Sequence, residues 1–161
     1  MKKTGFKQKK TVPMKRTKLK KISSSSVAVK KRKIQHLLRF ISIYRDGGCL
    51  LRNKRNCDGA AVIVDNKVVS SKVIQFDHLI TRANNATYAD SRLGVCICSG
   101  CHFWKKYNEK EYDDLVKTVL EPWRIELWDK MEMERRSHRP HKVNWNTQIE
   151  LLKKELTSLE Y

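Results

Sequence analysis

No acidic side chain precedes Asp46, which leaves the first quarter of this 161-residue chain without a carboxylate. Residues 1–33 hold 14 Lys and Arg, whereas the remainder holds 21 basic and 17 acidic residues. A nearly neutral body therefore follows a basic arm, and the formal net charge is +18. No stretch approaches the roughly 18 consecutive apolar residues that a membrane span requires. Val27-Ala28-Val29 is also too short a run to form the apolar core of a secretory signal. These two absences set the expectation of a cytoplasmic protein with no membrane partner. No amphipathic apolar face accompanies the basic charges, so nucleic acid is the expected polyanion: each Lys or Arg that neutralises a phosphate releases a counterion. The alternatives are a solubilising tail or one that binds acidic lipid. No internal repeat is apparent.

The cysteines do not make an even set. Cys49, Cys57, Cys96, Cys98 and Cys101 are odd in number and clustered, which in a reducing compartment points to metal before disulfides. Cys98-Ser99-Gly100-Cys101 has the tight spacing that converges two thiolates on one ion, and Gly100 lets the backbone close. Seven residues separate Cys49 from Cys57, so a folded loop over Arg52–Asn56 must join them. Together these four are the expected ligands of a structural Zn²⁺, closed to water by four thiolates. Cys96 is expected in the core. The competing readings are buried reduced thiols at Cys49 and Cys57, and a redox Cys-x-x-Cys, disfavoured because no βαβ pattern surrounds it.

Residues 1–31 read as a flexible, disordered basic arm, Lys-rich and carrying the Ser23–Ser26 run. A helix is expected from about Lys31 with Ile34, Leu37, Leu38 and Ile41 on one stripe, stopped by Asp46-Gly47-Gly48. Val62–Val64 and Val68-Val69 read as a hairpin around Asp65–Lys67, and Lys72–Phe76 as a half-buried strand ending at Asp77-His78. A polar loop over 81–92 and a short strand, Val95–Ile97, lead into the Cys98–Cys101 turn. Helices follow: one from His102 or Asn108 through Val119, one from Glu121-Pro122 burying Trp123, Leu127 and Met131, and one from Asn146 or Thr147. In the last, Thr147 and Glu150 have capping-box spacing, and Ile149, Leu152, Leu156 and Leu159 share a face. That face is expected to pack on the core, with homodimerisation the alternative. The body divides as 32–137, a core domain, and 138–161, the C-terminal helix.

Asp77 and His78 are adjacent at a strand end and so point opposite ways. One can hold a metal while the other meets water. His102 follows the second turn cysteine and is placed to face back toward them. Hydrolysis of a phosphodiester with one metal needs ligands for Mg²⁺ or Mn²⁺ and a base with a pKa near neutrality. Asp77 and His102 suit the first role and His78 the second. His36, His138 and His141 have no such context and read as surface residues or phosphate contacts.

The stretch Phe76-Asp77-His78-Leu79-Ile80-Thr81-Arg82-Ala83-Asn84-Asn85-Ala86-Thr87-Tyr88-Ala89-Asp90, followed by Leu93-Gly94-Val95-Cys96-Ile97-Cys98-Ser99-Gly100-Cys101-His102-Phe103-Trp104, resembles the HNH endonuclease family. More narrowly it is similar to phage-encoded recombination nucleases of the NinG type, whose basic leaders Met14–Lys20 also resembles. The resemblance covers roughly residues 46–110. It implies an α+β protein: a small zinc-stabilised ββα-metal (His-Me finger) core with flanking helices. It also implies a metal-dependent DNA endonuclease, phage or prophage encoded, that acts on DNA such as branched or recombination intermediates and leaves 5′-phosphate and 3′-hydroxyl ends. By position, Asp77 and His102 would bind the catalytic ion and His78 would be the general base. Lys15, Arg16, Lys18, Lys20, Lys21, Lys30, Lys31, Arg32, Lys33, Arg82, Lys105 and Lys106 are the candidate nucleic-acid contacts. Leu93 stands where the family's base-orienting Asn usually lies, so Asn84, Asn85 or a backbone carbonyl would have to orient His78. The main alternative is a non-catalytic zinc module that binds DNA or RNA. Another is a zinc-ribbon assembly protein that docks through its C-terminal helices.

Overall fold

The computed structural model describes residues 26–57, 59–60, 62–65, 67–70, 74–135 and 142–160. Most of the basic arm, including Lys15, Arg16, Lys18, Lys20 and Lys21, lies outside them, as do His138 and His141. The described chain is α+β. Its elements run α1 (Val27–Asp46), α2 (Arg52–Arg55), β1 (Val62–Val64), β2 (Lys67–Ser70), β3 (Ile74–His78), β4 (Gly94–Cys98), α3 (Ser99–Lys105), α4 (Glu109–Lys117), α5 (Pro122–Arg135) and α6 (Trp145–Leu159).

Helix α1 starts earlier than the apolar stripe suggests. Ser26 is its N-cap, its hydroxyl accepting from the Val29 N–H, so Lys30 and Lys31 are helical and not part of an arm. At the other end Gly47 takes φ 65°, a left-handed cap that a side chain would strain, and its N–H returns to the Ile43 carbonyl. Ile34, Leu37, Leu38 and Ile41 face Phe76, Tyr88, Ala89, Ile149 and Leu152. That contact settles where the C-terminal helix goes: α6 packs on α1. Its opening differs from the expected capping box, because Asn144, and not Thr147, caps it by accepting from the N–H groups of Asn146 and Thr147. Leu159 stays largely exposed.

Strands β1 and β2 form one antiparallel pair, β3 and β4 another. The second positions the site. Its register sets Asp77 opposite Val95 and His78 opposite Gly94, and α3 leaves directly from the end of β4. A second core lies beneath it, built from Leu51, Ile80, Leu93, Val95, Ile97, Tyr112, Val116 and Trp128. Helix α5 reaches this core with Trp128 and Arg124, while Trp123, expected inside, is 51% exposed.

Arg124 is fully buried and takes its place there by hydrogen bonding. Its guanidinium donates to the Gly94 and Arg92 carbonyls and pairs with Glu121 at 3.0 Å. Arg45 donates to the same Gly94 carbonyl and to that of Ser91, and pairs with Asp46 at 2.7 Å. Asp46 in turn accepts from the Cys96 N–H. Two arginines thus fasten the start of β4 to the ends of α1 and α5, and every charge in the cluster has a partner.

Candidate metal centre and active site

Cys49, Cys57, Cys98 and Cys101 come together with their sulfurs within 4.8 Å of one another. The sulfurs of Cys57 and Cys101 are 3.7 Å apart. Four sulfurs placed about 2.3 Å from a central zinc would be separated by about 3.8 Å, so the donor set fits a tetrahedral Zn²⁺. The loop between Cys49 and Cys57 is folded by α2 and closed by Asn56 in the left-handed region, φ 47°. Arg55 then lies over the Trp104 ring at 3.8 Å, which ties this loop to α3. Gly59 is required by close approach: a Cβ there would sit 2.2 Å from Cys49 Cβ, and the Gly59 carbonyl accepts from the Cys49 N–H. Burial raises the Cys49 thiol to about 11, whereas Cys98, despite burial, is held below its ordinary value by hydrogen bonds led by the Cys101 N–H. Cys96 stands apart as expected, fully buried against Ile43 and Ile74.

The turn that begins with Cys98 also starts α3, and so aims His102 at β3. His102 Nε2 lies 3.6 Å from Asp77 Oδ1. Asp77 is buried, and its other oxygen, Oδ2, accepts from Lys105 Nζ at 2.7 Å and from the Tyr112 hydroxyl at 2.8 Å. Cis ligands of an octahedral ion at about 2.1 Å are about 3 Å apart, so a small adjustment lets Oδ1 and the imidazole share one divalent cation. The pair offers one carboxylate oxygen and one imidazole nitrogen, a mixed donor set.

His78 faces the other way. Its Nε2 lies 3.1 Å from the Tyr88 carbonyl. A carbonyl only accepts, so Nε2 carries the proton and the neutral ring keeps its lone pair on Nδ1. Nδ1 is buried without a hydrogen-bond partner among the described residues. Burial pushes the imidazole below its ordinary pKa, although the Tyr88 bond opposes this. The ring is held edge-on to Phe76, centroids 4.8 Å apart, and lies beside Tyr88. Gly94 permits this arrangement, because the Phe76 ring occupies the space a Cβ would need.

The orienting partner of His78 is therefore a backbone carbonyl. Asn84 accepts from the Ala86 N–H and Asn85 from Lys31, so neither serves. Leu93 is core, and its carbonyl accepts from the Leu79 N–H. A cavity of about 670 Å³ is lined by His78, Lys105, Asp113 and Trp128 among others; one of about 530 Å³ is lined by His102, Lys105 and Phe103. Lys105 borders both, between the two histidines.

Among the expected phosphate contacts, Arg32, Lys33, Arg82 and Lys106 are exposed and Lys30 half-buried. Two are drawn inward. Lys31 bonds Asn85 and lies over the Tyr88 and Trp145 rings, and Lys105 holds Asp77. His36 is exposed. Tyr112 and Tyr88 were not legible as site residues: one reads as an ordinary apolar-stripe position, and the other contributes only its backbone. Among the described residues no helix is long and apolar enough to cross a membrane. Comparisons with family models, with curated proteins and with solved structures return no match for this chain.

Proposed function

We propose that this chain is a metal-dependent DNA endonuclease of the HNH, ββα-metal kind, used in DNA recombination or processing. The observation that carries the reading is the junction of β3 with α3. There Asp77 and His102 present an oxygen and a nitrogen 3.6 Å apart, while neighbouring His78 keeps an unpartnered Nδ1 lone pair. Strand, loop, strand and helix follow one another in the order such a core requires, and a four-cysteine clamp braces the helix start.

Asp77 Oδ1 and His102 Nε2 would hold the divalent ion, which when bound supplies charge to stabilise a phosphoryl transition state. His78, fixed by the Tyr88 carbonyl and kept neutral by burial, would take a proton from the attacking water at Nδ1 once substrate binding opens that buried atom to the site. Tyr112 and Lys105 hold the Asp77 carboxylate in orientation. The zinc is structural and takes no part in the chemistry.

The test is plasmid nicking in Mg²⁺ or Mn²⁺. His78→Ala should lose ~10²–10⁴ in rate, the usual worth of a positioned base, while zinc content and DNA affinity hold. His102→Ala should be partly restored by raised metal, since it removes a ligand and not a base. A His78→Ala protein that nicks as fast as the parent refutes the assignment.

One observation favours a second reading. Lys105 and Tyr112 already satisfy Asp77 Oδ2, as they would if the carboxylate were purely structural. The chain would then be a non-catalytic zinc module that binds DNA or RNA, and no variant would change nicking because the parent would not nick.

A further inference from the structure

Helix α3 has two unlike sides. One turns to the cysteine clamp through Cys101 and Trp104, the latter covered by Arg55. The other carries His102 and then Phe103, which is 63% exposed. Tyr107, one turn on, is 67% exposed, and its ring meets Phe103 edge to face with centroids 5.4 Å apart. Lys106 Nζ lies 5.6 Å from the Tyr107 ring. Singly exposed aromatics are ordinary, but a touching pair beside a cation presents a concentrated π surface.

The surroundings are basic. Phe103, His102, Lys105 and Lys106 line one cavity together with Gln75 and a single carboxylate, Glu109. Gln75 also lines a second cavity of about 320 Å³ together with Arg39, His36 and Arg82. The two cavities share Gln75 in their walls and so are neighbours along β3, the first bordered by Phe103 of the aromatic pair and Lys106 (with Glu109), the second by Arg39 and Arg82. Duplex DNA hides its base faces, so exposed rings gain little from it. An unpaired strand offers every base as a stacking partner and its phosphates to the cations.

The geometry points to a binding site for single-stranded DNA along these two cavities, with unpaired bases stacked on Phe103 and Tyr107 and phosphates running past Lys106 toward Arg82. The inference rests on the nuclease reading for its relevance to cleavage, and makes the substrate a DNA with an unpaired segment beside His102.

The test is fluorescence anisotropy of full-length protein with a labelled oligothymidine and with a blunt duplex of equal length. No divalent ion is added, so binding is read without cleavage. Raised salt reduces the contribution of the basic arm. Phe103→Ala and Tyr107→Ala should each weaken oligothymidine binding roughly 5- to 150-fold, the range for removal of a stacking ring. The duplex affinity should change less than about twofold. Phe103→Leu, which keeps apolar bulk but has no π face, should behave like Phe103→Ala. Both rings are exposed, and unchanged circular dichroism and zinc content establish that the variants fold. Oligothymidine binding equal to the parent's, an equal loss on both DNAs, or full recovery with Phe103→Leu overturns the site. Failure of the nicking test leaves this result readable, and failure here leaves duplex nicking untouched.

Discussion

Replacing Gly94 by alanine tests whether the strand pair, and not His78 alone, sets the site. A methyl at position 94 would lie 2.0 Å from Phe76 Cζ and within 2.6 Å of two further ring carbons, so the ring must leave its place. Phe76 is buried against α1 and edge-on to His78, and its displacement removes one of the rings that hold that imidazole. Overpacking of a filled core costs about 1–3 kcal/mol. At about 2 kcal/mol, a domain of this size should lose roughly 4–8 °C in Tm. Phe76→Leu alone should also destabilise, but it removes the atoms that clash. In the double variant the two costs should not add: the double-mutant cycle should show a favourable coupling of about 1–2 kcal/mol. Urea unfolding followed by circular dichroism measures all four proteins, and plasmid nicking on the same samples reports the site. Gly94→Ala should nick more slowly than its lost stability accounts for at temperatures where it is fully folded. If Gly94→Ala is equally destabilising with Phe76 or with Leu at position 76, the packing argument is wrong.

Three further outcomes follow from the same contacts. Purified protein should carry about one zinc per chain by elemental analysis. Cys98→Ser should lose that zinc and the folded state with it, whereas metal-free protein that still unfolds cooperatively would remove the clamp from the argument. Tyr112→Phe deletes the hydroxyl that donates to Asp77 and should cost about 1.5–3 kcal/mol in denaturant unfolding, as expected for a hydrogen bond to a charged acceptor; no change would show that Lys105 alone suffices. Deleting residues 1–25, which hold ten Lys and Arg, should flatten the salt dependence of DNA binding and leave the Tm in place; an unaltered slope would mean that the arm does not touch phosphate.

What the sequence made legible is local in origin. Cysteine spacing, the alternation over Ile74–Phe76 that leads to Asp77-His78, and the stripe of Ile34, Leu37, Leu38 and Ile41 all depend on near neighbours, and each recurs in the structure, although Lys72 and Val73 lie outside the described residues. What escaped depends on distance along the chain. Tyr112 meets Asp77 from 35 residues away, and nothing in its own helix marks the hydroxyl as engaged. The partner of His78 is a peptide carbonyl, which any residue could have supplied. Lys31 and Lys105 look like every other lysine until ring faces and a buried carboxylate draw them inward. In α5 the expected phase was set by apolar side chains, but Arg124 takes a core position because the Arg92 and Gly94 carbonyls and the Glu121 carboxylate accept from it, and Trp123 turns outward. Gly59 and Gly94 were visible only as glycines; their necessity comes from the Cys49 and Phe76 atoms pressed against them.

The packing of α6 on α1 has a consequence for synthesis. The two helices make the most extensive contact between elements among the described residues, yet α6 is translated roughly a hundred residues after α1, a lag of about 5–20 s at ribosomal speed. During that interval Ile34, Leu37, Leu38 and Ile41 have only part of their covering, and the Tyr88 segment that holds His78 rests on the same incomplete layer. Nascent chains halted before α6 should therefore be open to protease at α1 and to chaperone capture. Protection of α1 should appear once α6 has been made and docked, and not gradually during elongation.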